Sequence, residues 1–206
     1  LPNLETKFVA ANTLIGIEKD GGLFETKEIK NMENSLKIVR HKIFSLRSKE
    51  RKIAWREKDK ELREQLSILL KNQGLPIASA DFLSKWDPYN QNESSPFFDK
   101  EWMFGINDGF NIVIGNPPYI KEGTDKSVFD GLRKSKYYQG KMDLWYFFTS
   151  ICINLLKEQP NGTLCFIATN NWITNSGASK LRNQVITETK IKKFIDFSDF
   201  KIFESA

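Results

Sequence analysis

The chain has 206 residues, of which 40% are hydrophobic and 28% are charged, as is typical of a globular protein with a sizeable core. Its formal net charge is +5 at pH 7, which suits an anionic partner without requiring one. The sequence has no run of about 20 apolar residues and no signal-peptide pattern at its start, so we expect neither a membrane span nor secretion.

Residues 1–25 are predicted to form a short strand, at residues 7–11, followed by a loop. The chain begins with Leu1 rather than methionine and stops at Ala206, a few residues after an apolar segment. We therefore expect it to belong to a longer protein.

Residues 26–75 show a helical pattern with the heptad spacing of a coiled coil. The apolar positions of this pattern are Ile29, Met32, Leu36, Val39, Ile43 and Leu46, continued by Leu62, Leu66 and Leu69. The spacing predicts either two antiparallel helices in a hairpin or one long helix, ended by Gly74 and Pro76. Homo-oligomerisation through this seam is open, but a hairpin that packs on itself needs no partner. The basic residues between 47 and 63 are interpreted first as a solvated face and second as a grip for phosphates.

His41 falls on the outer face of this helical pattern, which indicates a solvent-exposed side chain. Cys152 and Cys165 each lie in an apolar run, which favours buried, reduced thiols in a cytosolic protein. These three residues match no recognised zinc spacing, so no metal site is expected.

The segment at residues 78–109 is predicted to be rich in loops. Its large apolar side chains are Phe82, Trp86, Tyr89, Phe97, Phe98, Trp102, Met103 and Phe104. Packing into the core is the favoured interpretation for most of them, and a row of stacking platforms for bases is the alternative.

The remaining part of residues 76–206 alternates between strands and helices. Strands are predicted at residues 110–115, 163–168 and 191–197, and helices at residues 144–157 and 181–189. This alternation predicts an α/β fold with a parallel sheet of buried strands.

The sequence Asn116-Pro117-Pro118-Tyr119 stands at the end of the first of these strands, where open α/β sheets bind their ligands. Asn116 and Pro117 both precede a proline, so both favour extended backbone, and each proline fixes its own φ. The stiff loop that results presents two acceptors, the side-chain carbonyl of Asn116 and a proline backbone carbonyl. Two acceptors suit the two hydrogens of an exocyclic amine, and Tyr119 adds a flat face for an extruded base. The alternative is a rigid structural turn.

This loop resembles the catalytic motif of the gamma-class adenine methyltransferases of bacterial restriction–modification systems. The resemblance is closest to the type IIG enzymes, which fuse restriction and methylation in one polypeptide. It extends to Asp143-Leu144-Trp145, where the family usually has Asp-Leu-Tyr. Residues 162–167 match the family pattern Gly-x-Leu-x-Phe-Ile, and the polar loop at residues 169–172 follows it.

The resemblance implies a partial Rossmann-like, S-adenosylmethionine-dependent methyltransferase fold, in which residues 26–75 are an inserted α-helical hairpin. It implies methyl transfer from S-adenosylmethionine to the exocyclic amine of a flipped adenine in double-stranded DNA. The catalytic residues would be Asn116, Pro117, Pro118 and Tyr119.

Two further residues match the family less closely. Asn12 resembles a residue that contacts the adenine of the cofactor, and a role in holding a turn is the alternative. Phe203 resembles an aromatic residue that packs against the flipped base. The glycine-rich cofactor loop has no counterpart in this sequence, so the chain alone is expected to be inactive and its parent to work in the bacterial cytoplasm.

Two other functional classes stay open. The chain could be a non-catalytic DNA-binding or assembly module on a methyltransferase fold, with the hairpin as its working part. It could also be a methyltransferase that acts on RNA or on protein.

Overall fold

The computed structural model describes residues 5–16, 26–90, 92–158, 160–198, 200, 202 and 203. The chain divides into two compact units, an N-terminal unit, Leu1–Asn107, and a C-terminal unit, Asp108–Ala206. Helices dominate the first unit, and the second combines helices with a small parallel sheet. The structure is therefore a mixed helix and strand fold, compatible with the expected α/β class.

A hairpin of two helices forms the main part of the N-terminal unit. Helix α1 (Lys27–Ser45) begins at Thr26, whose hydroxyl accepts the N–H of Ile29, and helix α2 (Lys49–Asn72) begins at Ser48 in the same way. Gln73, at the end of α2, donates to the Thr26 hydroxyl at 3.2 Å, so the helices are antiparallel. Of the two arrangements that the heptad pattern allowed, the structure has the hairpin.

The heptad positions form the seam between α1 and α2. Their buried members are Ile29, Leu36, Val39, Ile43 and Leu66. His41 lies on the outer side and is exposed, as predicted.

The segment predicted to be loop-rich contains two further helices, α3 (Ile77–Lys85) and α4 (Lys100–Phe104). Helix α4 begins at Asp99, whose carboxylate accepts the N–H of Trp102, and it ends at Gly105 with φ +66°. The expectation that most of the large apolar side chains of this segment pack into the core is confirmed for the buried ones, which are Trp86, Phe97, Trp102 and Met103. Phe82 is an exception, because its side chain is 47% exposed.

The prediction of a strand at residues 7–11 is wrong. A 3₁₀ turn occupies Glu5–Lys7, and the chain that follows makes a single parallel bridge, between Ala11 and Ser95. The residues around Ser95 are irregular, so no neighbouring strand extends this bridge into a ladder.

The C-terminal unit is built around two parallel strands, β1 (Ile112–Gly115) and β2 (Thr163–Phe166), with Ile112 opposite Thr163. Helix α5 (Leu144–Leu155) lies between them in the chain, as the strand, helix, strand pattern predicted. Three 3₁₀ segments, at Ser127–Leu132, Asn170–Ile173 and Ser176–Ala178, and helix α6 (Ser179–Glu188) complete the described elements of this unit.

The prediction that the strands are buried is wrong. Ile112 is 70% exposed and Ile114 is 77% exposed, and Cys165 in β2 is exposed as well, although Cys152 in α5 is buried as expected. The side chains of a strand alternate between two faces, and the described residues leave the face of Ile112 and Ile114 uncovered.

The third strand, predicted at residues 191–197, is also wrong. These residues follow α6 without regular structure, and their side chains are exposed. A strand exists only when its backbone groups pair with a neighbour, and the described residues provide none for this segment. No helix in the described part of the chain is long and apolar enough to cross a membrane.

Candidate functional site

The loop of residues 116–119 leaves the carboxyl end of β1, as predicted. Asn116 and Pro118 are exposed, whereas Pro117 is buried and Tyr119 is partly buried. Within the described residues, no donor pairs with the backbone carbonyl of Pro117 or Pro118. The loop therefore exposes the side-chain amide of Asn116, and its two proline carbonyl groups have no donor within the described residues.

The hydroxyl of Tyr119 fixes the position of this loop. It contacts the side-chain oxygen of Asn116 and lies 2.8 Å from the backbone carbonyl oxygen of Ile167, the residue after β2. Ile167 in turn donates its N–H to the carbonyl of Gly115 at 3.3 Å. Asn116, Tyr119 and the ends of both strands are thus held together.

Asp143, immediately before α5, places a carboxyl group near this loop. It is buried, and one of its side-chain oxygens, Oδ1, has no hydrogen-bond partner within the described residues. Burial raises the pKa of the Asp143 carboxyl, against the opposing effects of nearby backbone N–H groups and of Lys121. Burial and the neighbouring Asp143 carboxylate also raise the pKa of the Tyr119 hydroxyl.

The chain after the loop folds back on the chain that enters α5. Glu122 donates its N–H to the carbonyl of Met142, and Leu144 donates its N–H to the carbonyl of Ile120, both at 2.8 Å. These bonds close a long connection, residues 123–141, between the candidate loop and α5.

A group of three polar side chains stabilises that connection. The buried Glu122 carboxylate accepts from Arg133 and from the Tyr138 hydroxyl, each at 2.6 Å. These two bonds hold the pKa of the Glu122 carboxyl below its usual value, and the bond from Tyr138 has the larger effect. The ring of Tyr138 also stacks on Phe147 of α5, with ring centroids 6.4 Å apart.

Sequence patterns did not single out Glu122, Arg133 and Tyr138, because these residues are separated by 11 and 5 positions in an irregular segment.

A second group of residues that the sequence patterns missed lies beside α5. Tyr146 is buried, and its hydroxyl lies 3.3 Å from the side-chain oxygen of Asn171 and accepts from Asn175 at 3.1 Å. Asn171 belongs to the polar loop that resembles the family, which was the available signal.

Two further residues, Asn12 and Phe203, were predicted to belong to the site. Asn12 belongs to the N-terminal unit and is exposed, and its side-chain oxygen accepts the N–H of Leu14 at 3.1 Å. That is the turn-holding role left open by the sequence, and a cofactor role stays a prediction. Phe203 belongs to the C-terminal unit, follows a bend and is 38% exposed, and its role against a base also stays a prediction.

The sequence profile of the Eco57I restriction-modification methylases matches residues 10–203, which is nearly the whole chain. The chain belongs to this family. The resemblance predicted from the loop at residues 116–119 is thus confirmed at the level of restriction–modification methylases.

Curated relatives of this Eco57I-family chain include type II methyltransferases. Type II methyltransferase M.XhoI of Xanthomonas vasicola is 31% identical over 98 residues, which is 47% of this chain and 18% of that protein. Type II methyltransferase M.BanIII of Aneurinibacillus aneurinilyticus is 24% identical over 156 residues, which is 73% of this chain and 25% of that protein.

A third relative combines two activities in its name. Type II restriction enzyme and methyltransferase RM.Eco57I of Escherichia coli is 28% identical over 101 residues, which is 47% of this chain and 10% of that protein. The chain thus matches a quarter or less of the length of these relatives.

Proposed function

We propose that this Eco57I-family chain holds the target base in a site-specific DNA adenine methyltransferase. The proposed reaction transfers a methyl group from S-adenosylmethionine to the exocyclic amine of a flipped adenine in double-stranded DNA. The parent would be a gamma-class enzyme of the fused, type IIG kind, acting in the bacterial cytoplasm. Residues 1–25 and 76–206 would belong to its methyltransferase domain, with residues 26–75 inserted.

The observation that carries this proposal is the exposed amide of Asn116 beside the carbonyl groups of Pro117 and Pro118, which no described residue pairs with. An amine with two hydrogens can donate to the Asn116 side-chain oxygen and to one proline carbonyl at once. Because the prolines fix the backbone and Tyr119 fastens the loop to Ile167, these acceptors hold their positions before a base arrives.

Two acceptors also give this loop a chemical task. The lone pair of the adenine amine is delocalised into the ring, so the amine is a weak nucleophile. Hydrogen bonds to both of its hydrogens favour a tetrahedral nitrogen, whose lone pair then points away from the loop. The nitrogen would attack the methyl carbon with this pair while the bond from that carbon to the donor's sulfur breaks, with its electrons left on sulfur. The methylated nitrogen would then release one proton to solvent.

Tyr119 and Phe203 are proposed to contact the base through their rings. The duplex hides the amine, so the base must leave the stack, and an aromatic face replaces part of the stacking that it loses. Tyr119 adjoins the acceptors, and its hydroxyl is already engaged with Asn116 and Ile167.

S-adenosylmethionine supplies an electrophilic methyl group when it is bound. Asn12, the one residue predicted to contact it, uses its side-chain oxygen to accept the N–H of Leu14 and so holds a turn. The proposal therefore rests on the side of the reaction that holds the amine.

The test is methyl transfer from labelled S-adenosylmethionine to duplex DNA by the intact protein, with the methylated nucleoside identified. Asn116→Ala should reduce the rate by about 100-fold or more, as loss of one charge-stabilising contact at a reacting group does. Asn111→Ala is the matched control, because Asn111 is also exposed, stands at the other end of β1, and pairs with Thr163 only through its backbone.

Methylated adenine from the wild-type protein and the control, but not from Asn116→Ala, would support the substrate, the reaction and the residue together. Transfer to RNA or to protein, with none to DNA, would replace the proposed substrate. Equal rates for Asn116→Ala and Asn111→Ala would remove the loop from the chemistry.

A further inference from the structure

Charge is distributed unevenly along the hairpin of α1 and α2. Its base, residues 26–36 and 61–73, has four basic and four acidic residues and is neutral. Its distal half, residues 37–60, has ten basic and three acidic residues, a formal charge of +7, whereas the whole chain carries +5. The distal half of the hairpin is therefore the basic surface of a chain that is otherwise slightly acidic.

The basic side chains at the tip of the hairpin are available to a partner. Arg47, Lys49 and Arg51 are exposed, and Lys52 is partly exposed. In the described part of the chain, none of these four forms an ion pair. The one acidic residue among them, Glu50, accepts from the Ser48 hydroxyl at 2.6 Å. Residues 47–52 thus contain four cationic side chains that have no ion-pair partner among the described residues.

The position of these cations is unfavourable for the helix itself. The first turn of α2 contains Lys49, Arg51 and Lys52, at the end of the helix where the macrodipole favours negative charge. Helix stability alone would select acidic residues there. Residues that disfavour the local structure and do not stabilise the fold elsewhere are typical of a functional surface.

The arrangement of the tip fits a rigid polyanion better than a lipid surface. The outward face of α2, opposite the buried Asp59, bears exposed acidic residues at Glu50, Glu57 and Glu61, so the helix has no continuous apolar face to insert. The basic half of α2, residues 49–60, is about 16 Å long at 1.5 Å per residue. That length spans about five phosphates along one strand of duplex DNA.

We infer that the distal half of the hairpin is a phosphate-binding arm, which holds the backbone of double-stranded DNA without reading its sequence. This inference rests on the proposed DNA substrate and names a second surface that would contact it. Arg47, Lys49, Arg51 and Lys52 neutralise phosphates as point charges, so binding depends on salt and tolerates exchange of lysine and arginine.

The test compares three forms of the intact protein by fluorescence anisotropy with a labelled duplex of random sequence, from 0.05 to 0.2 M salt. The neutral variant is R47Q/K49Q/R51Q/K52Q, and the matched control, R47K/K49R/R51K/K52R, keeps every charge. Neutralisation should weaken binding by about 10- to 100-fold and flatten the plot of log affinity against log salt by about 0.9 per lost phosphate contact. The control should bind like the wild type.

Thermal unfolding separates lost binding from lost structure. The neutral variant should melt at the same temperature as the wild type or slightly higher, because it removes cations from a helix N-terminus. Unchanged affinity and an unchanged salt slope in a folded neutral variant would overturn the inference. Loss of binding to anionic lipid vesicles, with DNA binding intact, would overturn it in favour of a membrane.

Methyl transfer on the same preparations distinguishes this inference from the proposed function. If DNA binding depends on the four basic residues but the protein transfers no methyl group to DNA, the proposed function is refuted and the phosphate-binding arm is supported. Methyl transfer with the same KM for DNA in the neutral variant would refute the arm and leave the function.

Discussion

The hydroxyl oxygen of Tyr119 lies 2.8 Å from the carbonyl oxygen of Ile167, so the loop that leaves β1 is fastened to the residue that follows β2. The same hydroxyl contacts the side-chain oxygen of Asn116. A hydroxyl group has one hydrogen to donate, and two acceptors compete for it here. The orientation of the Asn116 amide therefore depends on Tyr119 as well as on the prolines.

Tyr119→Phe removes this hydroxyl and keeps the ring. We expect the turnover number for DNA methylation to fall about fivefold, since one hydrogen bond is worth roughly 1 kcal/mol. Tyr119→Ala also removes the ring and should cost a further ten- to hundredfold, because stacking on a base contributes about 1–3 kcal/mol. Steady-state kinetics on a duplex substrate measures both. A phenylalanine variant as active as the wild type would show that the hydroxyl has no role in methylation. An equal fall in turnover number in both variants would show that the ring has none.

The features that the sequence predicted well are those set by local patterns. The proline pair at residues 117–118 fixes its own backbone, and the heptad spacing fixes which faces of α1 and α2 meet, so both could be placed before any fold was known. The chain order of β1, α5 and β2 followed from the same kind of pattern.

The features that the sequence missed depend on what packs from a distance. Ile112 and Ile114 form an apolar strand, but their burial requires a covering layer that the described residues do not supply. Residues 191–197 have strand-like composition but find no strand to pair with among the described residues. Glu122 contacts Arg133 and Tyr138 only because the chain between residues 122 and 138 folds back on itself, and no residue spacing in the sequence predicts that fold.

A buried ion cluster stabilises the N-terminal unit. Asp59 is fully buried between Arg40 and Arg63, which contact its two carboxylate oxygens at 2.7 and 2.8 Å. Both guanidinium groups also donate to backbone carbonyls, Arg40 to Trp102 and Arg63 to Trp86. The carboxylate therefore offsets two cations whose side chains are less than one-tenth exposed.

Asp59→Asn should lower the free energy of unfolding by about 3–5 kcal/mol, because it leaves two buried cations without their anion. Urea denaturation followed by circular dichroism measures this loss. Asp81→Asn is the matched control, because Asp81 also pairs with a cation, Lys71 at 2.5 Å, but both side chains are about one-third exposed. The control should leave the urea midpoint unchanged. A similar loss in both variants would contradict the assignment of the stability to burial.

Gly177 lies against the connection that follows the candidate loop. A Cβ atom there would stand 1.9 Å from the carbonyl oxygen of Lys141, a backbone atom that cannot rotate away. Gly177→Ala should therefore destabilise the protein by roughly 1–3 kcal/mol, as overpacking does. Gly131→Ala is the control, since a Cβ at Gly131 meets nothing within 4 Å. Thermal unfolding of both variants checks the prediction, and an equally stable Gly177→Ala protein would show that Lys141 can move.

The buried carboxyl of Asp143 predicts how stability changes with pH. Its folded pKa is raised above the value of 3.8 for a free aspartate, mainly by burial, so the folded protein holds this proton at pH values where the unfolded chain releases it. Stability is highest below the unfolded pKa and falls as pH rises through the folded pKa. Above the folded pKa the carboxylate is charged, and its Oδ1 atom has no partner within the described residues.

Asp143→Asn removes that charge and should raise Tm at pH 7 by about 2–4 °C, the shift expected for roughly 1 kcal/mol. The gain should shrink towards zero as the pH is lowered through the folded pKa of Asp143, below which the wild-type carboxyl is neutral as well. Asp125→Asn is a control of opposite sign, because hydrogen bonds from Ser127 lower the pKa of Asp125. That variant should lose stability at pH 7 and approach the wild type in acid. Thermal scans between pH 4 and pH 8 measure both differences, and a gain for Asp143→Asn that does not vary with pH would show that charge is not its cause.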